Sequence, residues 1–338
     1  MTFALTSLAD LPGLVKDLPI ADVDAAAAAR ARQMSLTKPP GSLGRLEEIA
    51  EFMAAWRATP QPEIWRAQAL VFAGNHGICA QGVNPYPQEV TAQMVANFQH
   101  GGAAINQLCQ VNGADLNVVA LDLDRPTGDF TQGPAMSDAD CLEALNRGAA
   151  AVDGGADILI LGEMGIGNST VAAALAAACF GGDVAAWVGP GTGSDPAGIA
   201  RKIDVITRGL TLHAATKGDA GAILAALGGR EQAAICGAVL AARAARIPVI
   251  LDGFICSAAA AVLHAANPAL LDHCLVGHAS AEPGHRKLLA AIGKRPVLEF
   301  DMRLGEGSGA ALALGIVRSA LACHNGMATF ADAGVSEA

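Results

Sequence analysis

The segment 303–310, with the sequence RLGEGSGA, carries a single carboxylate, Glu306, among three glycines. Glycine has no side-chain bulk and adopts backbone angles that are closed to other residues, so this turn can approach a ligand while Glu306 projects toward it. The segment follows an apolar run at 297–300 and precedes a helical run at 310–322, which predicts a strand-to-helix turn. Glu306 is therefore a candidate catalytic carboxylate. The alternative is a solvated glutamate whose charge favours the start of a helix.

A second glycine-rich turn, 162–170 with the sequence GEMGIGNST, follows the apolar run 158–161. Such a turn before a helix presents backbone amides and a partial positive charge, which predicts an anion site. Its G-x-x-G-x-G spacing is neither that of a P-loop nor that of a dinucleotide fingerprint. Ser169 or Thr170 could instead cap the helix. Glu163 is not explained by capping, and because phosphate would repel it, we expect it to face sugar hydroxyls or a positively charged ring.

A third glycine-rich segment, 189–195 with the sequence GPGTGSD, precedes Lys202. Lys202 is a candidate phosphate contact acting as a point charge, or alternatively an exposed lysine of a helix. His278 and Ser280 end another apolar run and are candidate ligand contacts. No cluster of His, Cys, Asp and Glu has the spacing of a zinc site, so we predict no metal.

The long loop 75–88 carries His76 and Tyr86, which is the one tyrosine of the chain. Long irregular loops in compact domains are usually functional or disordered. His76 could be a catalytic group or a hydrogen-bonded structural residue. Tyr86 and Met94 are apolar enough to line a flat aromatic ligand, although core packing explains Met94 equally well.

The elements that must position these turns follow an alternation of apolar and helical runs. Strands are predicted at 69–74, 116–121, 158–161, 184–188, 248–251 and 275–276, and helices at 90–104, 138–151, 171–180 and 231–245. This alternation predicts an α/β domain with a mainly parallel sheet, in which ligands gather at the carboxyl ends of the strands. Two further helical runs, 25–32 and 42–56, come before the first strand.

Composition narrows the class of protein. A chain of 338 residues has room for one large domain and a smaller one, and 52% hydrophobic against 16% charged residues fits a well-buried core. Aromatic residues at 4% and a net charge of -10 argue against a nucleic-acid binder. The eight cysteines form no C-x-x-C pair, which predicts reduced thiols. With no signal peptide and no apolar run of about 20 residues, we predict a cytoplasmic protein without a membrane segment.

Taken in order, these stretches resemble the nicotinate-nucleotide–dimethylbenzimidazole phosphoribosyltransferase family of cobalamin biosynthesis over nearly the whole chain. The resemblance rests on several long motifs: 38–47 (KPPGSLGRLE), 74–77 (GNHG), 82–83 (GV), 90–91 (VT), 162–163 (GE), 168–170 (NST), 251–254 (LDGF), 278–282 (HASAE) and 303–310 (RLGEGSGA).

The resemblance implies transfer of the phosphoribosyl group of nicotinate mononucleotide to 5,6-dimethylbenzimidazole, giving α-ribazole 5′-phosphate and nicotinate, by a homodimer without a cofactor. It also implies a Rossmann-like α/β domain, 63–305, and a small helical domain built from 1–62 and 306–338. The accepted base stays open between dimethylbenzimidazole and a purine or phenolic analogue.

The resemblance further implies roles for individual residues. Glu306 is the general base and Glu163 the second active-site carboxylate. The residues expected to contact the nucleotide are Gly165, Gly167, Asn168, Ser169, Thr170, Gly191, Thr192, Gly193, Lys202 and Ser280, and those expected to contact the benzimidazole are Tyr86, Met94, Met164 and Leu304.

Three other classes of protein suit parts of the pattern. A dinucleotide-dependent oxidoreductase fits the α/β alternation, but the G-x-G-x-x-G motif and its distal acidic residue are missing. A non-catalytic nucleotide sensor has no need of a carboxylate on a glycine turn. A transferase that uses the pyrophosphorylated sugar needs a paired-acid loop, of which 118–124 is a weak imitation.

Overall fold

The computed structural model describes residues 3–336 and contains one six-stranded sheet in which every pairing is parallel. The strand order is β2-β1-β3-β4-β5-β6. The strands are β1 (Ala67–Ala73), β2 (Ala114–Ala120), β3 (Ile158–Met164), β4 (Val249–Leu251), β5 (Cys274–His278) and β6 (Pro296–Leu298). The predicted α/β class with a mainly parallel sheet is therefore confirmed.

Helices connect and cover these strands. They are α1 (Val23–Ser35), α2 (Arg45–Arg57), α3 (Glu89–Gln99), α4 (Ala104–Asn112), α5 (Asp138–Ala150), α6 (Asn168–Phe180), α7 (Pro196–Leu212), α8 (Ala220–Leu227), α9 (Arg230–Ala244), α10 (Phe254–Ala266), α11 (Pro283–Ala291), α12 (Ser308–Gly326) and α13 (Phe330–Ala333). Short 3-10 helices lie at Leu8–Lys16, Gly77–Gln81, Val184–Ala186, Ala214–Thr216 and Pro268–Leu271. Within residues 3–336, no helix has both the length and the apolar character needed to cross a bilayer.

Alternating side chains along the strands divide the core into two layers. On β3, Leu159 and Leu161 join the larger hydrophobic cluster, whereas Ile158 and Ile160 join the smaller cluster on the opposite face. Successive strand residues point to opposite faces, so a strand covered by helices on both faces is apolar throughout. The strands are continuous apolar runs in the sequence because helices cover the sheet on both faces.

The order in which strands are added to the sheet reverses between β1 and β3. From β1 the chain adds β2 on one side, and β3 to β6 then extend the sheet on the other side. Ligands of open parallel sheets bind outside the carboxyl ends of the strands, at such a switch point. The turns that follow β3, β4, β5 and β6 all leave the sheet at this edge.

Helices from both ends of the chain pack together. Helix α2 contacts α1 and α12, Arg32 donates to the carbonyl oxygen of His324, and α12 also covers the sheet through the smaller hydrophobic cluster. The predicted division into a helical domain, 1–62 with 306–338, and an α/β domain, 63–305, stays a prediction. Residues 1–2 and 337–338 of that division lie outside the described part of the chain.

One sequence-based element prediction is wrong, and another has the wrong end. The run 184–188 is not a strand: Val184–Ala186 is a 3-10 helix, and Trp187 after it is fully buried. A continuous apolar run indicates that its residues are buried, but buried residues need not be in a strand. The predicted helix 90–104 is present as α3 but ends at Gln99, because the chain turns at Gly101, whose φ is 78°, before α4 begins at Ala104.

Candidate active site

A cleft of about 790 Å³, including its opening to solvent, lies at the carboxyl edge of the sheet. The turns after β3, β4, β5 and β6 and the loop after β1 all contribute to it. His278, a candidate ligand contact, lines this cleft. So do twelve of the residues with expected catalytic or substrate-binding roles: Glu163, Met164, Gly165, Gly167, Asn168, Ser169, Gly191, Thr192, Lys202, Ser280, Leu304 and Glu306.

Four other predicted site residues do not line the cleft. Thr170 is fully buried in the first turn of α6, and Gly193 lies beyond the lining part of its loop. Tyr86 is 50% exposed, next to Pro85, which does line the cleft. Met94 packs against the smaller hydrophobic cluster, as the core alternative for this residue expects. Their predicted ligand contacts stay predictions.

Glu306 lies on a turn of unusual backbone conformation. Its φ is 66°, between Gly305 at 86° and Gly307 at 85°. A non-glycine residue in the left-handed region carries strain, which persists where the surroundings hold the conformation and which clusters at functional sites. The two flanking glycines adopt these angles without a side-chain penalty. The side chain of Glu306 is buried and points into the cleft.

Two features hold this turn in place: hydrogen bonds to Asp252 and the absence of a side chain at Gly162. The carboxylate of Asp252, just after β4, accepts hydrogen bonds from the backbone amides of Gly307 at 3.1 Å and Ala310 at 2.9 Å. Below the turn, Gly162 of β3 has no side chain, and a Cβ there would lie 2.5 Å from the Gly307 nitrogen. Asp252 is a site residue whose role sequence reasoning missed, although its place directly after a buried strand, in LDGF, was a signal.

Burial perturbs both candidate catalytic carboxyls. Burial, with the nearby charge of Asp252, raises the pKa of Glu306 to about 7. Burial, followed by the charges of Asp252, Glu231 and Glu306, raises the pKa of Glu163 to about 8, although a hydrogen bond from Asn168 opposes the shift. Buried carboxyls disfavour their charged form, and strongly perturbed groups in a cleft are candidates for acid–base chemistry.

The turn after β3 leaves amides available to a ligand. Helix α6 starts at Asn168 with Gly167 at its N-cap position, and no side chain caps it, so the capping alternative for Ser169 and Thr170 is wrong. The amides of Gly167 and Ser169 donate to no acceptor within residues 3–336. A helix N-terminus with free amides favours an anion. The Asn168 side-chain amide instead donates to Glu163, which links the two groups.

Lys202 is a buried cation at the floor of the cleft. It is 3% exposed, so the alternative of an exposed helix lysine is wrong. Its ammonium group donates to the hydroxyl of Ser169 at 3.3 Å and to the carbonyls of Gly189 at 3.4 Å and Pro190 at 3.5 Å. Burial lowers its pKa, while the charge of Glu282 opposes the shift. Buried charges are usually paired, so this lysine is suited to an anionic ligand.

A buried pair of a histidine and a glutamate lies behind the cleft. His76 Nε2 is 2.9 Å from Glu231 Oε1, and both side chains are inaccessible to solvent. A Cβ on Gly165 would lie 3.0 Å from this same nitrogen, so the pair packs beneath the turn after β3. His76 does not line the cleft, which agrees with a structural residue rather than a ligand contact.

Several known proteins of similar sequence and fold are named for the same activity. A family model described as phosphoribosyltransferase matches residues 18–335. The nicotinate-nucleotide–dimethylbenzimidazole phosphoribosyltransferase of Rhodobacter capsulatus is 67% identical over 332 residues, which are 98% of this chain and 99% of that protein. The protein of the same name from Novosphingobium aromaticivorans is 60% identical over 331 residues, 98% of each chain. The crystal structure of the same enzyme from Thermus thermophilus superposes with a TM-score of 0.86 at 40% identity, covering 94% of this chain and 100% of that one.

Proposed function

Because this chain belongs to the nicotinate-nucleotide–dimethylbenzimidazole phosphoribosyltransferase family, we propose that it moves the phosphoribosyl group of nicotinate mononucleotide to 5,6-dimethylbenzimidazole. The products are α-ribazole 5′-phosphate and nicotinate, in the branch of cobalamin biosynthesis that builds the nucleotide loop. One observation supports this proposal above the others. Glu306, a buried carboxylate whose pKa is about 7, faces a cleft that also holds a buried lysine and free helix amides.

The reaction needs a base and no acid. In nicotinate mononucleotide the pyridinium nitrogen is already positive, so nicotinate departs with a neutral ring nitrogen. The attacking benzimidazole becomes cationic when its bare nitrogen bonds to the anomeric carbon, and it must then lose the proton on its other nitrogen. Glu306 takes that proton. A base is most effective when its pKa lies near the working pH, and this role contributes about 100- to 10,000-fold to the rate.

Positioning supplies the rest of the rate enhancement. The two rings lie on opposite faces of the ribose, so attack inverts the anomeric centre and gives the α product. Well-oriented reactants in one site can lower a barrier by about 7–11 kcal/mol. Glu163 holds the ribose hydroxyls in its protonated form, which its pKa of about 8 favours, or stabilises positive charge at the ribosyl carbon once it is ionised; it lines the same cleft as Glu306 and packs against Gly305 of the same turn.

The phosphate lies between the turn after β3 and the loop that carries Gly191. Lys202 supplies a positive charge, and the amides at the start of α6 supply hydrogen-bond donors, with Ser280 at the same wall. Met164 and Leu304 line the part of the cleft assigned to the benzimidazole.

The test of this function is nicotinate release. Nicotinate mononucleotide and dimethylbenzimidazole are mixed with the protein, and nicotinate and α-ribazole 5′-phosphate are quantified by chromatography. An oxidoreductase or a sensor releases neither product. Glu306→Gln should lower kcat by about 100-fold or more, since it removes the base without changing the shape of the side chain.

Glu299→Gln is the matched control for this variant. Glu299 is an exposed carboxylate paired with Arg286 outside the cleft, so its substitution changes the net charge equally and should leave kcat unchanged. A Glu306→Gln enzyme whose kcat stays within a few-fold of the parent would exclude Glu306 as the base.

The homodimer is part of the same proposal. Trp65 and Val111 are 79% and 81% exposed, and both lie next to residues whose carbonyls accept from Arg318, namely Ile64 and Asn112. Large exposed apolar side chains on one surface are typical of an interface. Light scattering should give twice the chain mass of 34.0 kDa, and the Trp65→Ser, Val111→Ser double variant should give the monomer mass. A wild-type monomer contradicts this part of the proposal.

We also propose that the protein works in the cytoplasm. All eight cysteines are free thiols, and five of them are buried. Free buried cysteines are typical of reducing compartments. Cell fractionation followed by immunodetection tests this directly, and recovery in a periplasmic or membrane fraction would contradict it.

A further inference from the structure

Glu282 is a carboxylate in the part of the cleft assigned to the substrate phosphate. It lies at the start of α11, is buried, and lines the cleft wall. Its Oε1 accepts a hydrogen bond of 2.8 Å from the backbone amide of Gly191. A carboxylate here would repel a phosphate, so its presence needs an explanation that the transfer reaction itself does not supply.

The groups around Glu282 are those that a phosphate requires. Burial raises the pKa of Glu282, while the Gly191 amide and the charges of Lys202 and Arg303 lower it. Arg303 also donates to the carbonyl of Gly191 at 2.9 Å. Backbone amides and cations of this kind bind carboxylates and phosphates alike.

The contacts of Lys202 point to an additional anion. Its ammonium group makes three long hydrogen bonds to neutral oxygens and forms no ion pair with any carboxylate in the part of the chain that the structure describes. Glu282 therefore accepts a hydrogen bond from the Gly191 amide without forming an ion pair with Lys202. The lysine charge stays directed into the cleft, beside the amide that the carboxylate holds.

We infer that Glu282 is a placeholder for the nucleotide phosphate: it holds the Gly191 amide between the Lys202 and Arg303 charges until the phosphate displaces it. This inference rests on the proposed function and assigns a further residue to the same site. Glu282 thereby sets how tightly the enzyme holds the phosphate of its substrate and product. A site without this carboxylate binds the phosphate more tightly and releases the phosphorylated product more slowly.

The test is the binding of nicotinate mononucleotide to Glu282→Gln, measured by calorimetry without dimethylbenzimidazole. The amide oxygen of glutamine still accepts from Gly191, but the negative charge is gone. Because like charges at one site oppose binding, we expect the Kd to fall at least about fivefold. The Kd of nicotinate riboside, which has no phosphate, should stay within about twofold. Glu299→Gln, with the same change of charge outside the cleft, should bind both ligands as the parent does.

The opposite results are equally clear. Unchanged or weaker binding of the nucleotide by Glu282→Gln would show that Glu282 only braces the loop, and it would overturn the inference. If that variant does not fold, a crystal of the wild-type protein soaked with nicotinate mononucleotide decides. A phosphate oxygen on the Gly191 amide, with Glu282 withdrawn, supports the inference; a Glu282–Gly191 distance still near 2.8 Å overturns it.

The nicotinate-release assay separates this inference from the proposed function. A wild-type protein that releases no nicotinate contradicts the function. A protein that releases nicotinate, while Glu282→Gln binds the nucleotide no more tightly than the parent, contradicts the placeholder role alone.

Discussion

The substitution Gly162→Ala tests whether the position of Glu306, rather than its presence alone, determines the rate. Gly162 lies in β3 directly beneath the Glu306 turn. A Cβ at this position would lie 2.5 Å from the Gly307 nitrogen and 2.6 Å from the carbonyl carbon and oxygen of Glu306. Non-bonded carbon contacts are ordinarily about 3.5–4.0 Å, so the turn must retreat by about 1 Å.

The expected effect of this retreat follows from the chemistry. A displacement of about 1 Å at a reacting group can lower the rate about 100-fold. The substitution leaves Glu306 in the chain and adds no charge. It also leaves the Lys202 and Gly191 side of the cleft untouched. We therefore expect kcat for nicotinate release to fall about 100-fold, while the Kd of nicotinate mononucleotide changes by less than about threefold.

The matched control is Gly154→Ala. Gly154 precedes the same strand at its opposite end, and a Cβ there has no neighbour within 4 Å. This variant should keep the parent kcat, and thermal unfolding of both variants separates a local displacement from loss of the fold. The reasoning is refuted if Gly162→Ala keeps kcat within about fivefold of the parent, or if nucleotide binding falls together with kcat.

Three further predictions follow from the charges in the cleft. Because Glu306 acts as a base only when ionised and its pKa in the free protein is about 7, kcat/KM should rise with pH through about 7 and then level off; a flat profile between about pH 5.5 and 8.5 would contradict its role. The pKa of Glu163 is about 8 in the folded protein against about 4.3 in an unfolded chain. Between these two pH values the folded state binds more protons than the unfolded state, so the free energy of unfolding should fall as the pH rises from about 4.3 to about 8. Urea midpoints at about pH 5 and pH 8 should therefore differ less in Glu163→Gln than in the parent, and an equal difference would show that another group is responsible. Lys202→Met removes a buried cation that the phosphate should contact, so the Kd of nicotinate mononucleotide should rise about 10-fold or more while that of nicotinate riboside changes little. The exposed Lys217→Met is its control, and an equal loss for both ligands would place Lys202 outside the phosphate site.

Much of the fold could be predicted because its pattern is local. The continuous apolar runs of β1 and β3 predict buried parallel strands, and the glycines after β3 and before α12 predict turns at the carboxyl edge. The structure confirms these elements. The run 184–188 was the exception, since Trp187 is buried by packing rather than by a place in the sheet.

The sequence by itself determined which chemical groups are available: a carboxylate between glycines, a glycine-rich turn before a helix, and a lysine beyond a third turn. The motifs also determined the family. These features are set by residue types over short distances along the chain, so they can be read without coordinates.

Tertiary structure alone decided which of these groups meet and how they are charged. Asp252 anchors a turn 55 residues later in the chain, and Gly162 admits that turn against the sheet. The buried Glu306 lies against Gly162 of β3, and the buried Lys202 contacts Ser169 of α6, so both side chains are placed by residues distant in the sequence. Desolvation and close approach arise from three-dimensional packing, and no local pattern of residues encodes them.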